Sequence, residues 1–107
     1  MTLNPPPVVE SALDAIGNTP LIKLNRLVPE GSADVYVKLE SFNPTGSKKD
    51  RMALAMIEGA EKRGELRPGM SVVEYSGGST GAALALVCAV KGYHIHIISA
   101  DCFGKEK

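Results

Sequence analysis

Hydrophobic and polar positions alternate in some segments of the chain and recur every three or four residues in others, which predicts a mixture of strands and helices. Runs of β-favouring residues predict strands at residues 21–24, 35–39, 71–75 and 93–99. Helical spacing, an apolar run and capping residues predict helices at residues 11–16, 47–63 and 82–91. The first of these helices begins at a possible cap, Ser11.

The order helix, strand, helix, strand from residue 47 onwards predicts an α/β fold. Strands joined through a helix form a right-handed crossover and pair in parallel, so we expect a parallel sheet covered by helices in a three-layer arrangement. The two earlier strands are separated by a turn at residues 29–32. This turn suits either a hairpin or a longer connection, and the sequence leaves the pairing of these two strands open.

The predicted helix at residues 47–63 begins with a possible capping box, in which Ser47 is followed three residues later by Asp50. Three- and four-residue spacing places one set of side chains on a single stripe, which we expect to be buried. This stripe consists of Lys49, Met52, Ala53, Met56, Ile57 and Ala60. Within it, we interpret Met52 and Met56 as core filler.

Length and charge narrow the classes of partner. The 107 residues fit one domain, and 12 Lys and Arg balance 12 Asp and Glu, so the formal net charge is zero. A neutral chain lacks the basic surface that binds nucleic acid or anionic lipid, and we expect neither nucleic acid nor a membrane as a partner. The longest apolar run, residues 82–90, is shorter than the roughly 20 residues that a helix needs to cross a bilayer.

Cysteine and histidine usage gives no indication of a metal or disulfide protein. Cys88 and Cys102 show no repeated spacing. His94 and His96 alternate onto one face of a strand, but no second close ligand pair accompanies them, so we interpret both as structural or solvent-facing. The start of the chain lacks the basic and apolar regions of a secretory signal, and we expect a cytoplasmic protein.

Lys49 is the first candidate for chemistry, because an ammonium group on a buried stripe loses hydration. Imine chemistry uses a lysine amine held in such a place, out of bulk water and near the positive end of a helix. The alternative is that Lys48 and Lys49 are both solvated residues of the first helical turn, since lysines at helix ends commonly extend back to water. Helix phase favours Lys49 over Lys48 as the reactive residue.

The second candidate is the loop at residues 76–81, which reads Ser-Gly-Gly-Ser-Thr-Gly and joins a predicted strand to a predicted helix. Glycines let the backbone approach an anion, and the hydroxyls of Ser76, Ser79 and Thr80 add donors to the N–H groups at the helix start. The pattern indicates a cradle for a carboxylate or phosphate, although it matches neither the nucleoside-triphosphate loop nor the dinucleotide fingerprint. The alternative is an ordinary glycine-rich turn in which Ser79 or Thr80 caps the helix.

These two segments, taken in order, resemble the N-terminal portion of the cysteine synthase family. The resemblance extends to Ile-Gly-Asn-Thr-Pro-Leu at residues 16–21 and Ala-Leu-Ala-Met-Ile-Glu at residues 53–58. The family comprises pyridoxal-phosphate enzymes of fold type II, including O-acetylserine sulfhydrylase and cystathionine β-synthase. It implies an N-terminal arm at residues 1–12 and, at residues 13–107, the N-terminal α/β portion of such an enzyme without its large C-terminal domain.

The resemblance also implies roles for individual residues. Lys49 would attach the cofactor pyridoxal 5'-phosphate covalently and would then act as base and acid at the α-carbon of a small amino-acid substrate. The substrate α-carboxylate would be bound by Ser76, Gly77, Gly78, Ser79 and Thr80. Ser79 would also lie against the phenolic oxygen of the cofactor. The implied reaction is β-replacement on an activated serine, as in the synthesis of cysteine from O-acetylserine and sulfide.

Several positions depart from the family pattern. The loop of the family usually reads Thr-Ser-Gly-Asn-Thr-Gly after Glu-Pro, whereas here Tyr75 replaces the proline, Gly77 the serine and Ser79 the asparagine. Lys48 stands where the family usually has a small or apolar residue. These differences bear on cofactor tuning and on the choice of substrate.

Family members are several times longer, and their remaining part carries the loop that holds the cofactor phosphate. We therefore expect this short chain to be inactive alone, and a homodimer for the full-length form. The strands at residues 21–24 and 35–39 pair with the larger domain in the family, so we expect them here to lack partners and to expose their edges. Two other functions stay open: a non-catalytic domain that binds a partner or a small carboxylate, and another fold type II activity such as serine/threonine dehydratase or threonine synthase.

Overall fold

The computed structural model describes residues 8–104, and the first seven residues of the predicted arm lie outside this range. A short 3-10 helix is followed by two short strands and a 3-10 turn, and then by helices and strands in alternation. In chain order the elements are the 3-10 helix Ala12–Ala15, β1 (Leu21–Lys23), β2 (Tyr36–Lys38), the 3-10 turn Glu40–Phe42, α1 (Lys49–Lys62), β3 (Ser71–Tyr75), α2 (Ser79–Lys91) and β4 (His94–Ile98).

The predicted α/β class with a parallel sheet is confirmed. β3 and β4 pair in parallel, from Ser71 opposite His94 to Tyr75 opposite Ile98, and α2 is the connection between them. Val72 and Ile95 face the side of this sheet that α2 covers, where they pack against its buried residues. On the opposite side Val73 is 61% exposed, so within residues 8–104 the sheet is covered on one face.

β1 and β2 form an antiparallel pair, which answers the question that the sequence left open. Leu21 lies opposite Lys38 and Lys23 lies opposite Tyr36. The expectation that these strands lack a partner is wrong for the edges that face each other, because a two-stranded ribbon satisfies the backbone groups along its inner edges. All six strand residues have exposed side chains, so the ribbon buries little apolar surface within the described part of the chain.

The hydrophobic core lies between α1 and α2. Its fully buried members are small or medium-sized, which lets the two helices approach closely: Ala53, Ile57, Ala83, Leu84, Val87 and Cys88. On α2 the residues at positions 83, 84, 87 and 88 follow the three- and four-residue spacing of one helix face.

The buried face of α1 differs from the predicted stripe. Its buried residues are Asp50, Ala53 and Ile57, whereas Lys49 is half-buried and Met56 is 49% exposed. The buried face of α1 is therefore narrower than the predicted stripe, because α1 packs on α2 along a narrow contact that leaves Met56 outside. The interpretation of Met56 as core filler is wrong for the described residues.

The ends of the helices follow local hydrogen bonding. α1 begins at Lys49, two residues later than predicted, and the Ser47 hydroxyl accepts a bond from the Lys49 N–H at 3.1 Å. The predicted capping box does not form, because the Asp50 carboxylate accepts bonds from the N–H and the hydroxyl of Thr45 instead. α2 begins three residues earlier than predicted and ends, as predicted, at Gly92, whose φ of +80° suits a glycine.

The cap predicted at Ser11 is confirmed, since its hydroxyl accepts a bond from the Leu13 N–H at 3.2 Å. The Asp14 carboxylate accepts the Ser11 N–H in return, also at 3.2 Å, which completes a capping box. Among residues 8–104 no helix combines the length and the hydropathy that a membrane span requires.

Candidate functional site

The glycine-rich loop between β3 and α2 is organised around the Ser76 hydroxyl. Its Oγ accepts bonds from the N–H of Gly78 at 3.2 Å and from the N–H of Gly81 at 2.9 Å. The backbone N–H of Ser76 donates to the Ile98 carbonyl at 2.9 Å, so the loop starts from the edge of the sheet. Ser76 therefore fixes both ends of the turn into α2.

The alternative in which Ser79 or Thr80 caps α2 is wrong. The residue at the cap position is Gly78, which has extended backbone and makes no side-chain capping bond. Ser76 takes over the capping function from two residues upstream by accepting the N–H of Gly81, the third residue of the helix. The N–H groups of Ser79 and Thr80 have no acceptor within the helix, because the first turn of any helix lacks one.

A cleft of about 710 Å³ opens over this loop. It brings together all five loop residues that the sequence predicted for carboxylate binding. Its lining consists of Glu74, Tyr75, Ser76, Gly77, Gly78, Ser79, Thr80, Ala82 and Phe103. The donors in this lining are hydroxyl and N–H groups, and among residues 8–104 neither lysine nor arginine contributes to it. Such donors suit a carboxylate or a phenolic oxygen.

Phe103 is a residue of the cleft that the sequence analysis missed. Its ring lies directly over Gly77, so closely that a Cβ atom at position 77 would overlap it. The ring also lies 6.1 Å from the ring of Tyr75, centroid to centroid. The parallel pairing of β3 and β4 could have indicated this contact, because the segments that follow two parallel strands emerge at the same edge of the sheet.

Lys49 lies at the first position of α1 and is half-buried, while its neighbour Lys48 is exposed. This difference agrees with the preference for Lys49 that helix phase indicated. Within residues 8–104 the Lys49 ammonium group makes neither a hydrogen bond nor a salt bridge. Lys49 does not line the cleft over the loop, so this chain places the two candidate segments on adjoining helices without joining them in one cavity.

The histidines and Cys88 lie on different sides of the sheet. Cys88 is buried in the core between the helices, and burial raises the pKa of its thiol. His94 and His96 alternate with Ile95, which faces the core, so the two histidines point to the uncovered face, where both are exposed. Within the described part of the chain, no group of three or more His, Cys, Asp or Glu could hold a metal ion.

Comparison with known proteins identifies the family of this chain. Residues 12–107 match the family described as pyridoxal-phosphate dependent enzyme. The chain belongs to this family. It is 51% identical over 92 residues to cysteine synthase B of Salmonella typhimurium, a match that covers 86% of this chain and 30% of that protein. It is 48% identical over 99 residues to a cysteine synthase of Staphylococcus aureus, covering 92% and 32% of the two chains.

Solved structures of pyridoxal-phosphate dependent enzymes share the fold. O-ureido-L-serine synthase superposes with a TM-score of 0.87 at 47% identity, covering 94% of this chain and 31% of that one. The cysteine synthase of Entamoeba histolytica superposes with a TM-score of 0.86 at 34% identity, covering 99% and 32%. The predicted resemblance to cysteine synthases, the fold type II architecture and the use of pyridoxal 5'-phosphate by the family are thereby confirmed.

The chain spans about 30% of the length of the curated relatives that it matches. It contains the β3–α2 loop and its cleft, together with the lysine at the start of α1. The donor chemistry of the cleft fits the carboxylate of an amino acid and the phenolic oxygen of pyridoxal phosphate, both of which accept hydrogen bonds from hydroxyl and N–H groups.

Proposed function

We propose that this chain is the lysine-bearing and carboxylate-binding part of a cysteine synthase-like enzyme that carries out β-replacement on an activated serine. The observation that carries the proposal is the cleft over residues 76–80, whose lining within residues 8–104 offers hydroxyl and N–H donors and contains no basic side chain. A site of this kind binds a small anion through short-range hydrogen bonds. Two relatives that are 51% and 48% identical to this chain in sequence are named cysteine synthases.

Lys49 is the residue that we assign to the chemistry. In this proposal its amine attaches pyridoxal 5'-phosphate covalently and later takes and returns the proton at the substrate α-carbon. When bound, the cofactor supplies the electron sink that stabilises negative charge at that carbon. A solved structure of O-ureido-L-serine synthase with O-ureido-L-serine bound was obtained with a variant in which one lysine is replaced by alanine. That variant supports a lysine at the centre of the reaction.

The loop residues have different tasks in this proposal. The N–H and hydroxyl groups of Ser79 and Thr80, with the backbone of Gly77 and Gly78, bind the substrate carboxylate, and Ser79 also lies against the phenolic oxygen of the cofactor. Ser76 belongs to the same carboxylate site, and its internal hydrogen bonds to Gly78 and Gly81 hold the loop in the shape that presents the other donors. The ring of Phe103 covers Gly77 and limits access of water to this end of the loop.

The names of the structural relatives indicate which part of the reaction varies. One is described as a hydrogen sulfide-producing enzyme from Fusobacterium nucleatum and another as O-ureido-L-serine synthase. We therefore assign the reaction class, replacement at the β-carbon of an amino acid, and take O-acetylserine and sulfide as the substrates to test first. The homodimer and the cytoplasmic location remain predictions.

The assignment of Lys49 is tested by trapping the cofactor on the 107-residue chain. The chain is incubated with pyridoxal 5'-phosphate, reduced with borohydride and digested, and the labelled peptide is identified by mass spectrometry. We expect the label on Lys49 and its loss in Lys49→Ala. Lys48→Ala is the matched control, since it removes the neighbouring exposed amine and should keep the label. Equal labelling of both variants would contradict the assignment.

A second measurement tests the loop. The chain is incubated with pyridoxal 5'-phosphate without borohydride, and its absorbance is followed while O-acetyl-L-serine is added. We expect a spectral change that saturates in the parent chain and weakens in Thr80→Ala, because that variant lacks one donor at the carboxylate. A response that is unchanged in Thr80→Ala would remove the loop from the proposal while leaving Lys49 in place.

A further inference from the structure

The carboxylate of Glu40 is the centre of a polar cluster close to the start of α1. It accepts hydrogen bonds from the Thr19 hydroxyl at 2.6 Å and from the Asn43 amide at 2.9 Å. The Arg51 guanidinium donates to it twice, from Nε at 2.9 Å and from Nη2 at 3.1 Å. Thr19 is 5% exposed and Asn43 is 3% exposed, whereas the side chains of Glu40 and Arg51 are 23% and 42% exposed, so the cluster is buried on one side and reaches solvent at the ion pair. We call these four residues the Glu40 cluster.

The Glu40 cluster joins three separate segments of the chain. Thr19 lies in the turn at residues 17–20, Glu40 and Asn43 lie in and after the 3-10 turn that follows β2, and Arg51 lies in the first turn of α1. Arg51 and Thr19 are also joined directly, because Nη2 of Arg51 donates to the Thr19 hydroxyl at 3.1 Å. Each of the three segments is therefore fixed relative to the other two by side-chain bonds.

The turn at residues 17–20 is built to receive this cluster. The N–H of Gly17 donates to the Asn43 side-chain oxygen at 2.8 Å. Gly17 has a φ of +89°, and a Cβ atom there would lie 3.0 Å from the Arg51 guanidinium. Glycine at this position thus serves both the turn and the close approach of Arg51. The Ile-Gly-Asn-Thr-Pro-Leu motif, for which the proposed reaction has no direct use, acquires a function in holding α1.

Two anchored residues directly follow Lys49 in the first turn of α1. Arg51, two residues further on, is held by Glu40, and Asp50 is fully buried with its carboxylate bonded to Thr45. The guanidinium beside Glu40 holds the pKa of that carboxyl at about 2, so the ion pair is charged at neutral pH. The helical turn that carries Lys49 is thereby held by the two residues that follow it, while the Lys49 side chain makes no bond of its own within residues 8–104.

We propose that the Glu40 cluster is the positioning device for Lys49, fixing the first turn of α1 so that the amine projects in one direction. The inference rests on the proposed function, in which Lys49 is the reactive lysine. Its physical basis is that a reactive group carried on a flexible side chain keeps a productive geometry only if its backbone is held by rigid surroundings.

The test separates positioning from stability by comparing ion pairs at different places. Glu40→Gln and Arg51→Gln weaken the cluster. Glu61→Gln is the control, because Glu61 lies at the far end of α1 and the substitution weakens its bonds to Lys91 and Tyr93. Variants are measured at temperatures where circular dichroism shows each to be fully folded. If Arg51→Gln does not fold, Thr19→Val removes the hydroxyl at constant volume, and Thr19→Ser is its conservative counterpart.

The first readout uses no cofactor. Pulse acetylation followed by mass spectrometry gives the ratio of the Lys49 rate to the Lys48 rate in the same molecule. We expect the cluster variants to change this ratio by about threefold or more, because a freed first turn gives both amines similar access to solvent, whereas Glu61→Gln and Thr19→Ser should keep the parent ratio. The second readout is the dissociation constant for pyridoxal 5'-phosphate, which we expect to rise about tenfold in the cluster variants.

An acetylation ratio that stays at the parent value in all cluster variants would overturn the positioning proposal. So would an equal change in Glu61→Gln, because the effect would then follow stability and not the place of the bond. Failure of the proposed function gives a different result: the parent chain would carry no borohydride-trapped label on Lys49, whatever the acetylation ratios show.

Discussion

Replacement of Ser76 by alanine is the sharpest test of how the glycine-rich loop is held. The substitution removes the acceptor of two N–H groups, those of Gly78 and Gly81. Gly81 is buried, so its N–H cannot turn to water without opening the first turn of α2, whereas Gly78 is half-buried. A net hydrogen bond is worth about 1 kcal/mol and a buried donor without a partner costs more, so we expect a loss of about 2 kcal/mol in the free energy of unfolding.

The matched control is Ser79→Ala in the same loop. Ser79 is exposed and makes no capping bond, and alanine has the higher helix propensity, so we expect a change within about 0.5 kcal/mol. Urea unfolding followed by circular dichroism measures both variants, and in a thermal scan Ser76→Ala should melt about 10 °C below the parent chain. Equal destabilisation by the two substitutions, or a larger effect of Ser79→Ala, would refute the assignment of Ser76 as the residue that holds the loop.

Three further predictions concern the core, the ion pair and the aromatic contact. Leu84 lies between the helices and is 1% exposed, so Leu84→Ala should lower the free energy of unfolding in urea by about 3 kcal/mol. Met56→Ala should lower it by less than about 1 kcal/mol. Similar losses in the two variants would contradict the finding that Met56 lies outside the core. The pKa of Glu40 is lowered from 4.5 to about 2, so its contribution to stability is present above pH 4.5 and is lost as the pH falls through about 2. The urea midpoint measured between pH 4.5 and about pH 2 should therefore fall less steeply with decreasing pH for Glu40→Gln than for the parent chain. Identical slopes would contradict the pairing of Glu40 with Arg51. Gly77→Ala should displace the Phe103 ring and cost about 1 kcal/mol, a cost that should vanish in a Phe103→Ala background, and an unchanged cost there would exclude the contact.

The sequence predicted the elements of the second half of the chain closely. β3 has the predicted bounds and β4 lies within one residue of its predicted ends, because both combine β-branched residues with glycine or proline turns at their boundaries. The stop of α2 at Gly92 followed from the same local rule. Their parallel pairing followed from the helix between them, since such a connection admits few topologies.

The sequence was less informative where two local interactions compete. Asp50 fits a capping box with Ser47, yet its carboxylate bonds to Thr45, which the turn at residues 43–46 brings within reach. Ser79 and Thr80 fit the usual cap position, yet it is the hydroxyl of Ser76 that accepts the N–H of Gly81 in the first turn of the helix. Spacing along the chain lists the groups that can pair, and the path of the backbone decides which of them do.

The sequence by itself determined the order of the elements, the two candidate segments and the family to which they belong. These depend on local propensity and on motifs that stand close together in the chain. The tertiary structure decided which groups from separate segments meet: the side chains of Glu40 and Arg51, the Gly17 N–H and the Asn43 side chain, and the Phe103 ring and the Gly77 backbone. No periodicity encodes such contacts, because they depend on how separate segments are placed when the helices and strands pack.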